Sequence, residues 1–296
     1  MNTVTIVGVG LIGASFALAL RRAGFRGRIL GVSSPSAVAD ALAMGVIDEA
    51  RPLEDAAHHS DLVYLSQTIS GILATLERLD AHLRPDTLIT DAGSTKAAIV
   101  DKARRHIRRG LFLGGHPMAG KEGRGARAAD ASLFDGRPYV LTPLDPADLE
   151  REAIGEFQGW LLRIGARAVV LEPGLHDRLV ALVSHLPQLA STALAASLAD
   201  RPEKNALRDV VGPGVLDMTR LALSPYQIWN DIIATNQASI IAALDSYIER
   251  LLLLRAGLGS PATAAMFEKA ASLAAGLRRP ATARPNESCP SSEGPL

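Results

Sequence analysis

Two short motifs carry polar side chains of the kind that move protons. The motif GGHPMAG (114–120) places His116 directly after the apolar run LFL, and DAGSTK (91–96) places Ser94 after the apolar run TLIT. A neutral imidazole, with an ordinary pKa of about 6.5, accepts a proton near neutral pH, and a hydroxyl can hydrogen-bond beside it. Both motifs also have a structural interpretation. His116 could be hydrogen-bonded to the backbone, and Ser94 or Thr95 could cap a helix.

A third motif, GVGLIG (8–13), has the glycine spacing of a dinucleotide-binding loop. It follows a predicted strand and opens a predicted helix, which is the setting in which this pattern is specific. Gly8 permits a tight turn, Gly10 lets the backbone approach a pyrophosphate, and Gly13 allows the helix to pack on the strand. The N–H groups at the start of the helix then face the anion. The residues predicted to bind the cofactor here are Gly8, Gly10, Leu11, Ile12 and Gly13.

The end of the second predicted strand bears on which dinucleotide binds. NAD-binding loops place an acidic residue about 20 positions after the glycines, where it binds the ribose 2′-OH and repels a 2′-phosphate. In this chain Ser33 and Ser34 stand there, and the loop has no arginine to hold a phosphate. The sequence therefore favours NADP slightly and leaves NAD open.

The ends of strands in one sheet must position these motifs. From residue 3 to about 172, short apolar runs alternate with segments whose apolar residues recur at helical spacing. This alternation predicts an α/β fold, a doubly wound parallel sheet whose ligands bind at the carboxyl ends of the strands. The predicted strands are 3–9, 28–32, 61–66, 87–92, 111–115, 137–142 and 166–172.

The pattern changes after residue 172, where helical stretches follow one another. We expect a dinucleotide-binding domain at 1–172, a helical domain at 173–277, and a disordered tail at 278–296 that is rich in Pro and Ser. The segment 228–258 is apolar on more than one face. It must therefore be buried, either within its own domain or against a second subunit.

Composition excludes several classes of protein. The 296 residues include 31 Lys+Arg and 31 Asp+Glu, with the basic residues scattered, so we expect no nucleic-acid or anionic-membrane surface. The apolar segment at 3–20 is followed by arginines rather than preceded by them, unlike a signal peptide. We find no run of about 20 uninterrupted apolar residues, as a membrane span requires. The single cysteine, Cys289, fits a reducing cytoplasm.

Four motifs together resemble the prephenate/arogenate dehydrogenase family. They are DAGSTK (91–96), GGHPMAGKEG (114–123), LHDRLVALVSHLPQ (175–188) and GPGVLDMTRLALSPYQIWNDI (212–232). The resemblance covers roughly residues 3–256 and implies an N-terminal Rossmann domain followed by an all-helical C-terminal domain that forms a homodimer. It also implies an NAD(P)+ cofactor and a small-molecule substrate.

In that family, prephenate gives up a hydride from ring carbon C4 to the nicotinamide. The C4 hydroxyl becomes a carbonyl, and carbon dioxide leaves as the ring aromatises to 4-hydroxyphenylpyruvate. The resemblance implies that His116 accepts the hydroxyl proton and that Ser94 hydrogen-bonds near it. It also implies that Arg220 holds the ring carboxylate through two parallel bonds, whereas the alternative is a surface arginine.

Other residues match the family with less specific roles. Glu122 matches an acidic residue near the site. Trp229 matches the family as well, although a tryptophan in a helix belongs to the core more often than it contacts a ligand. His185, in SHLP, either contacts substrate or orders its loop. His176 and Asp177, in LHD, are adequately explained as the start of a helix.

Gln188 bears on the choice between two substrates. Some relatives carry a second histidine at this position, and the glutamine here leaves open how the substrate side chain is held. Arogenate carries an ammonium where prephenate has a keto oxygen, and a desolvated cation needs a nearby carboxylate. Because Gln188 is neutral, the sequence favours prephenate.

Three alternatives stay open at this point. The enzyme could prefer arogenate, or accept both substrates. A binding protein that kept the fold without catalysis would be expected to have lost His116 or Arg220, and both are present. A hydroxyacid or imine reductase would place a catalytic lysine on a long helix of the second domain, and 205–256 contains none.

Overall fold

The structure is a computed structural model that describes residues 1–279. The predicted tail at 278–296, with Cys289, lies almost wholly outside the described residues. The chain divides into two compact units, Met1–Ala243 and Leu244–Leu296. The predicted domain boundary at 172/173 stays a prediction.

The first unit contains an eight-stranded sheet with helices connecting most of its strands. The strands follow the order β3-β2-β1-β4-β5-β6-β7-β8 across the sheet, which is the doubly wound arrangement expected from the sequence. The strands are β1 (Thr3–Val7), β2 (Arg28–Val32), β3 (Glu49–Ala50), β4 (Leu62–Leu65), β5 (Leu88–Asp91), β6 (Leu111–Pro117), β7 (Pro138–Pro143) and β8 (Arg167–Val170). The helices are α1 (Leu11–Arg22), α2 (Pro35–Ala43), α3 (Leu53–His59), α4 (Ile69–Leu79), α5 (Ala97–His106) and α6 (Glu152–Arg163).

One strand corrects the expectation of an all-parallel sheet. β7 runs antiparallel to β6, with His116 opposite Val140, and parallel to β8. The connection from β6 to β7 contains a short 3₁₀ turn, Ala126–Ala128, in place of a crossover helix. Antiparallel neighbours need no crossover helix, so the connecting chain is free to form a loop beside the strand ends.

Alternate residues of the strands enter two separate hydrophobic cores. In β4, Leu62 and Tyr64 pack in one core, whereas Val63 and Leu65 pack in the other. Side chains of a strand point to opposite faces in turn, so both faces of this sheet are covered. This explains why the strands are nearly continuous apolar runs in the sequence.

After β8 the described chain is helical, with one π-helical turn and one interrupted helix. The π-helical turn Ala181–His185 joins α7 to α8, and non-helical backbone at Asn236 (φ −132°, ψ 25°) interrupts α11. Such irregularities are frequent at functional sites. The helices are α7 (Pro173–Val180), α8 (Leu186–Ala199), α9 (Lys204–Leu207), α10 (Pro213–Thr219), α11 (Tyr226–Ala256) and α12 (Pro261–Leu277).

Among the described residues, the helical stretch Pro173–Ala199 is long and apolar enough to cross a membrane by length and composition alone. It carries five buried polar residues, His176, Asp177, His185, Gln188 and Ser191. Each of the five hydrogen-bonds to another part of the chain. These bonds hold the stretch against the rest of the protein.

The second unit, from Leu244, exposes many apolar side chains. The described residues of α12 include none that is buried. Residues 244–258 of this unit belong to the segment 228–258, for which the sequence offered burial in its own domain or against a second subunit. Its large exposed apolar residues are Ile248, Leu251, Leu252, Leu253, Leu258, Phe267, Leu273 and Leu277.

Candidate active site

The glycine loop between β1 and α1 is constrained by close packing at two positions and open at the third. Gly8 has a φ of 95°, and a side chain there would meet the backbone of Ser66 at 2.8 Å. A side chain at Gly13 would collide with Ser66 and Ile6, whereas one at Gly10 would have nothing within 4 Å. The space beside Gly10 and the uncapped start of α1 fit an anionic group such as a pyrophosphate.

A groove of about 520 Å³ adjoins this loop, and we call it the glycine-loop groove. Leu11 and Ile12 of α1 line it together with Ser94. Asp231 of α11 lines it as well, and its carboxylate accepts a hydrogen bond from the backbone N–H of Ser70 at 2.8 Å. The groove therefore combines the carboxyl ends of several strands with one helix of the later chain.

Ser33 and Ser34 follow the end of β2 and are exposed. The Oγ atoms of Ser34 and Ser36 lie 3.4 Å apart. α2 begins immediately afterwards at Pro35. The loop thus presents hydroxyl groups where an NAD-selective loop would present a carboxylate.

His116 lies near the end of β6 and belongs to a chain of three side chains. Its Nδ1 atom is 2.8 Å from Nε2 of His176. The Nδ1 atom of His176 is in turn 2.8 Å from Oδ1 of Asp177. His176 and Asp177 are buried, whereas the His116 side chain is partly exposed. This hydrogen-bonded series runs from the buried carboxylate of Asp177 to the partly exposed imidazole of His116.

Asp177 also caps the N-terminus of α5. Its carboxylate accepts the backbone N–H groups of Lys96 at 2.7 Å and of Ala97 at 2.9 Å. The sequence offered Ser94 or Thr95 for this cap, and that expectation is wrong. A carboxylate from α7 satisfies the helix start instead.

His176 and Asp177 lie in α7, as the sequence suggested, but neither of them caps that helix. Glu172 caps α7, accepting the backbone N–H groups of Gly174 and Leu175 at 2.8 and 2.6 Å. The side chains of His176 and Asp177 are therefore free to bond elsewhere. His176 contacts His116 of β6, and Asp177 contacts the start of α5.

A buried ion pair joins the loop after β5 to the end of β6. The Nζ of Lys96 donates to the Asp91 carboxylate and, at 2.8 Å, to the carbonyl of Gly115. Asp91 also accepts the backbone N–H groups of Gly93 at 2.8 Å and of Gly115 at 3.1 Å. Both side chains are fully buried. These bonds fix the residue that precedes His116.

The surroundings of His116 keep its imidazole neutral. Removal from water lowers the pKa of His116 well below 6.5, and the positive charge of Lys96 lowers it further. Burial also lowers the pKa of Lys96, which the Asp91 carboxylate opposes. His116 is therefore unprotonated near neutral pH, which is the state in which an imidazole can accept a proton.

His185 is buried and bonded to the interrupted helix. Asn236 Nδ2 donates to the backbone carbonyl of Asp177 at 2.8 Å and lies 3.3 Å from Nδ1 of His185. The ring of Trp229 meets the ring of His185 edge-on, with centroids 5.9 Å apart. Burial lowers the pKa of His185 to about 4. This histidine is neutral and held by its neighbours, as a residue that orders its loop would be.

A second cavity, of about 550 Å³, contains Arg220 and is called the Arg220 cavity below. Arg220 is exposed and forms no ion pair with any described residue. Glu122, Gln188 and Trp229 also line this cavity. An unpaired guanidinium in a cavity is suited to hold a carboxylate through two parallel bonds.

Two hydrogen bonds shape the wall of the Arg220 cavity. Gln188 is buried and its Nε2 donates to the carbonyl of Leu221 at 2.8 Å, next to Arg220. The indole N–H of Trp229 donates to the Oγ of Ser224 at 2.9 Å. Gln188 is thus bonded to the 3₁₀ turn Arg220–Leu223, and Trp229 is bonded to the residue that follows this turn.

The structure brings some of the predicted residues together and leaves others apart. Ser94 lines the glycine-loop groove, and Arg220 lines its own cavity. His116 lines neither of these two cavities, and it makes no hydrogen bond with Ser94. The two cavities share Lys121, Gly123, Arg124 and Ile228 in their walls.

The sequence analysis did not identify the buried residues whose hydrogen bonds fix the surroundings of His116. Lys96 and Asp91 belong to the quoted DAGSTK motif, where two opposite charges beside an apolar strand signal a buried pair. Asn236 offered no local signal. Nor did Thr235, whose Oγ1 lies 2.8 Å from Oγ1 of Thr95.

Comparison with family models matches most of the chain. Residues 16–170 match a model described as the nucleotide-binding domain of prephenate dehydrogenase. Residues 172–270 match its dimerization domain. The first match begins after the glycine loop, whose assignment rests on the geometry given above.

Individual relatives agree with these models. The prephenate dehydrogenase of Bacillus subtilis is 33% identical over 261 residues, which cover 86% of this chain and 69% of that protein. A solved prephenate dehydrogenase from A. aeolicus, in complex with hydroxyphenyl propionate and NAD+, is 30% identical with a TM-score of 0.83, covering 94% of this chain and 97% of that one. A solved arogenate dehydrogenase from Synechocystis is also 30% identical, with a TM-score of 0.79 and coverage of 93% and 99%.

Proposed function

This chain belongs to the prephenate dehydrogenase family, and we propose that His116 is the base with which it oxidises prephenate to 4-hydroxyphenylpyruvate. The enzyme is a nicotinamide-dependent oxidoreductase of tyrosine biosynthesis. Within that activity, the roles of individual residues are proposals drawn from the contacts of each side chain.

The observation that carries the role of His116 is its neutral imidazole at the end of β6. Hydride loss from C4 would leave that carbon cationic unless the hydroxyl proton is withdrawn at the same time. Burial and the charge of Lys96 favour the unprotonated ring that can take this proton. The adjoining Gly115 is fixed by Asp91 and Lys96, so the strand end that carries His116 is fixed as well.

The other residues of the site bind and orient. NAD(P)+, when bound in the glycine-loop groove, supplies the hydride acceptor. The N–H groups at the start of α1 would hold its pyrophosphate. Arg220 would hold the ring carboxylate of prephenate, and Ser94 would hydrogen-bond near the C4 hydroxyl. Glu122, Gln188 and Trp229 would form the wall against the substrate side chain, with His185 behind them.

The cofactor preference is proposed as NADP, by a small margin. The exposed hydroxyls of Ser33 and Ser34 give a 2′-phosphate hydrogen-bond donors and no repelling charge. The absence of an arginine in residues 33–36 keeps the margin small. We expect Ser33→Asp to weaken NADP binding more than NAD binding, because a carboxylate repels the 2′-phosphate and accepts the 2′-hydroxyl.

We also propose that the chain forms a homodimer through its helical region. The exposed leucines at 251–253 and the exposed Phe267 are costly in water and would be buried against a second copy. Sedimentation equilibrium tests this directly. A monomer at micromolar concentration would contradict the proposal.

A spectrophotometric assay with four substrate and cofactor pairs tests the proposed function. Prephenate and arogenate are each combined with NAD+ and NADP+, and reduction of the nicotinamide is followed by its absorbance. We expect kcat/KM to be highest for prephenate with NADP+. Faster turnover of arogenate would favour the alternative substrate, and no turnover with any pair would contradict a dehydrogenase role.

A further inference from the structure

We propose that His176 and Asp177 are positioning residues that hold His116 in a single tautomer, with its proton on Nδ1 and a free lone pair on Nε2. The inference rests on the proposed role of His116 as the base. It assigns a function to two buried residues that the sequence explained only as a helix start.

The donor and acceptor of each hydrogen bond in this series can be assigned in turn, beginning at the carboxylate of Asp177. A carboxylate only accepts, so the Nδ1 of His176 must donate to Oδ1 of Asp177. A neutral His176 then has its lone pair on Nε2. The Nδ1 of His116, 2.8 Å from that atom, must donate to it. The remaining nitrogen of His116, Nε2, is left as an acceptor.

Asp177 is well placed to fix this direction because the surrounding structure holds it from several sides. Its carboxylate accepts two backbone N–H groups at the start of α5, from Lys96 and Ala97. Its backbone carbonyl accepts the amide of Asn236 at the interruption of α11. The carboxylate therefore cannot turn away from His176 without leaving a helix start unsatisfied.

The arrangement also suits the proton transfer. The substrate O–H bond breaks and an N–H bond forms at Nε2 of His116, while the hydride leaves C4 in the established reaction. The imidazolium so formed keeps its Nδ1–H bond to His176, and the Asp177 charge lies at the far end of the chain. In the opposite tautomer, Nε2 would already carry a proton and could accept none.

Two substitutions at His176 separate positioning from simple packing. In His176→Gln, the side-chain amide oxygen reaches about the place of Nε2 and can accept the His116 proton. In His176→Phe, the ring fills the space and accepts nothing. His58→Phe, at an exposed position on α3, controls for the loss of a histidine as such.

The first readout is steady-state kinetics. We expect His176→Phe to lower kcat about 10–100-fold, which is the range seen when the partner that orients a metal-ligating imidazole is lost. KM for prephenate should change less than about 3-fold, because no substrate contact is removed. His176→Gln should recover a large part of kcat, and His58→Phe should match the wild type.

The second readout is the protonation pattern of the ring itself. Nitrogen-15 spectra of labelled enzyme at pH 8 distinguish protonated from unprotonated ring nitrogens, and the His116 signals are assigned by their loss in His116→Asn. We expect the proton on Nδ1 in the wild type and in His176→Gln, and on Nε2 or on both in His176→Phe.

Wild-type enzyme with its His116 proton on Nε2 would overturn the proposal, and so would unchanged kcat and tautomer in His176→Phe. If the Phe variant does not fold, as judged by circular dichroism, the wild-type spectrum still decides the question. Failure of the proposed function would look different, since wild-type enzyme would then turn over neither substrate.

Discussion

The surroundings of His116 and those of Arg220 differ in almost every physical respect. Behind His116, the buried side chains of Lys96, Asp91 and Asp177 bond to backbone groups and to one another. Arg220 is exposed and has no ionic partner among the described residues. The first region is fixed by the folded protein alone, whereas the second offers a charge to a ligand.

This difference separates the two tasks of the site. A base must be in place before the substrate arrives, because a small misplacement of reacting atoms slows the reaction severely. A residue that binds a carboxylate gains by leaving its charge unpaired until the carboxylate arrives. We therefore expect substitutions behind His116 to change turnover and stability, and those in the Arg220 cavity to change binding.

The largest expected effect belongs to His116→Asn. Loss of the base should lower kcat by about 10²–10⁴-fold, the usual contribution of general acid–base catalysis. Cofactor affinity should stay close to that of the wild type, because the glycine-loop groove is unaltered; fluorescence titration with the nicotinamide checks this. Near-normal turnover would remove His116 from its role.

Lys96→Met tests whether the buried pair stabilises the region around His116. Removal of one partner leaves the Asp91 carboxylate buried and uncompensated, which costs about 3–5 kcal/mol in the free energy of unfolding. Lys102→Met is a matched control, since the partner of Lys102, Glu77, lies at the surface, and such pairs contribute about 1 kcal/mol or less. Urea denaturation measures both, and equal effects would contradict the distinction.

Arg220→Ala should act on the other region and chiefly on binding. Loss of a charge-assisted bond of about 1.5–3 kcal/mol raises KM for prephenate about 10–100-fold. We expect kcat to change much less, with Arg220→Lys intermediate because a single ammonium lacks the planar fork. An unchanged KM in the alanine variant would place the ring carboxylate elsewhere.

The smallest expected effect is a displacement of the acid limb in the pH profile. Because the pKa of His116 lies below 6.5 in the free enzyme, the ring stays neutral as the pH falls past that value. The limb of kcat/KM that reports this group should therefore have its midpoint below pH 6.5. A midpoint at or above 6.5 would show that its surroundings do not favour the neutral form.

The same lowered pKa has a consequence for folding. The unfolded chain binds the proton of His116 more readily, so the contribution of this group to stability is present above about pH 6.5. It is lost as the pH falls from there toward the pKa of the folded state. Thermal unfolding of the wild type and of His116→Asn between pH 5 and 8 measures this contribution.

Local patterns predicted much of the fold. The glycine loop, the seven longer strands and most of the helices followed from glycine spacing, from short apolar runs and from the 3.6-residue helical period. The direction of β7 did not, because an apolar run has the same pattern whether its strand is parallel or antiparallel. β3, with two residues, was too short to give a pattern.

The site followed from the sequence in part. His116, Ser94 and Arg220 were picked out by motifs, and their catalytic and binding roles stay predictions. The groups behind His116 could not be found, because their partners are far apart in the chain. Lys96 and Asp177 are separated by 81 residues, and Asp177 and Asn236 by 59. No local period carries such information.

Lys121, Gly123 and Arg124 belong to the walls of both the glycine-loop groove and the Arg220 cavity. Gly123, with a φ of 118°, gives this shared segment a backbone that other residues rarely adopt. Two ligands that touch one segment are thermodynamically coupled when either changes its conformation. If the bound nucleotide changes the affinity for substrate by some factor, the bound substrate must change the affinity for nucleotide by the same factor. Each dissociation constant therefore has meaning only at a stated concentration of the other ligand.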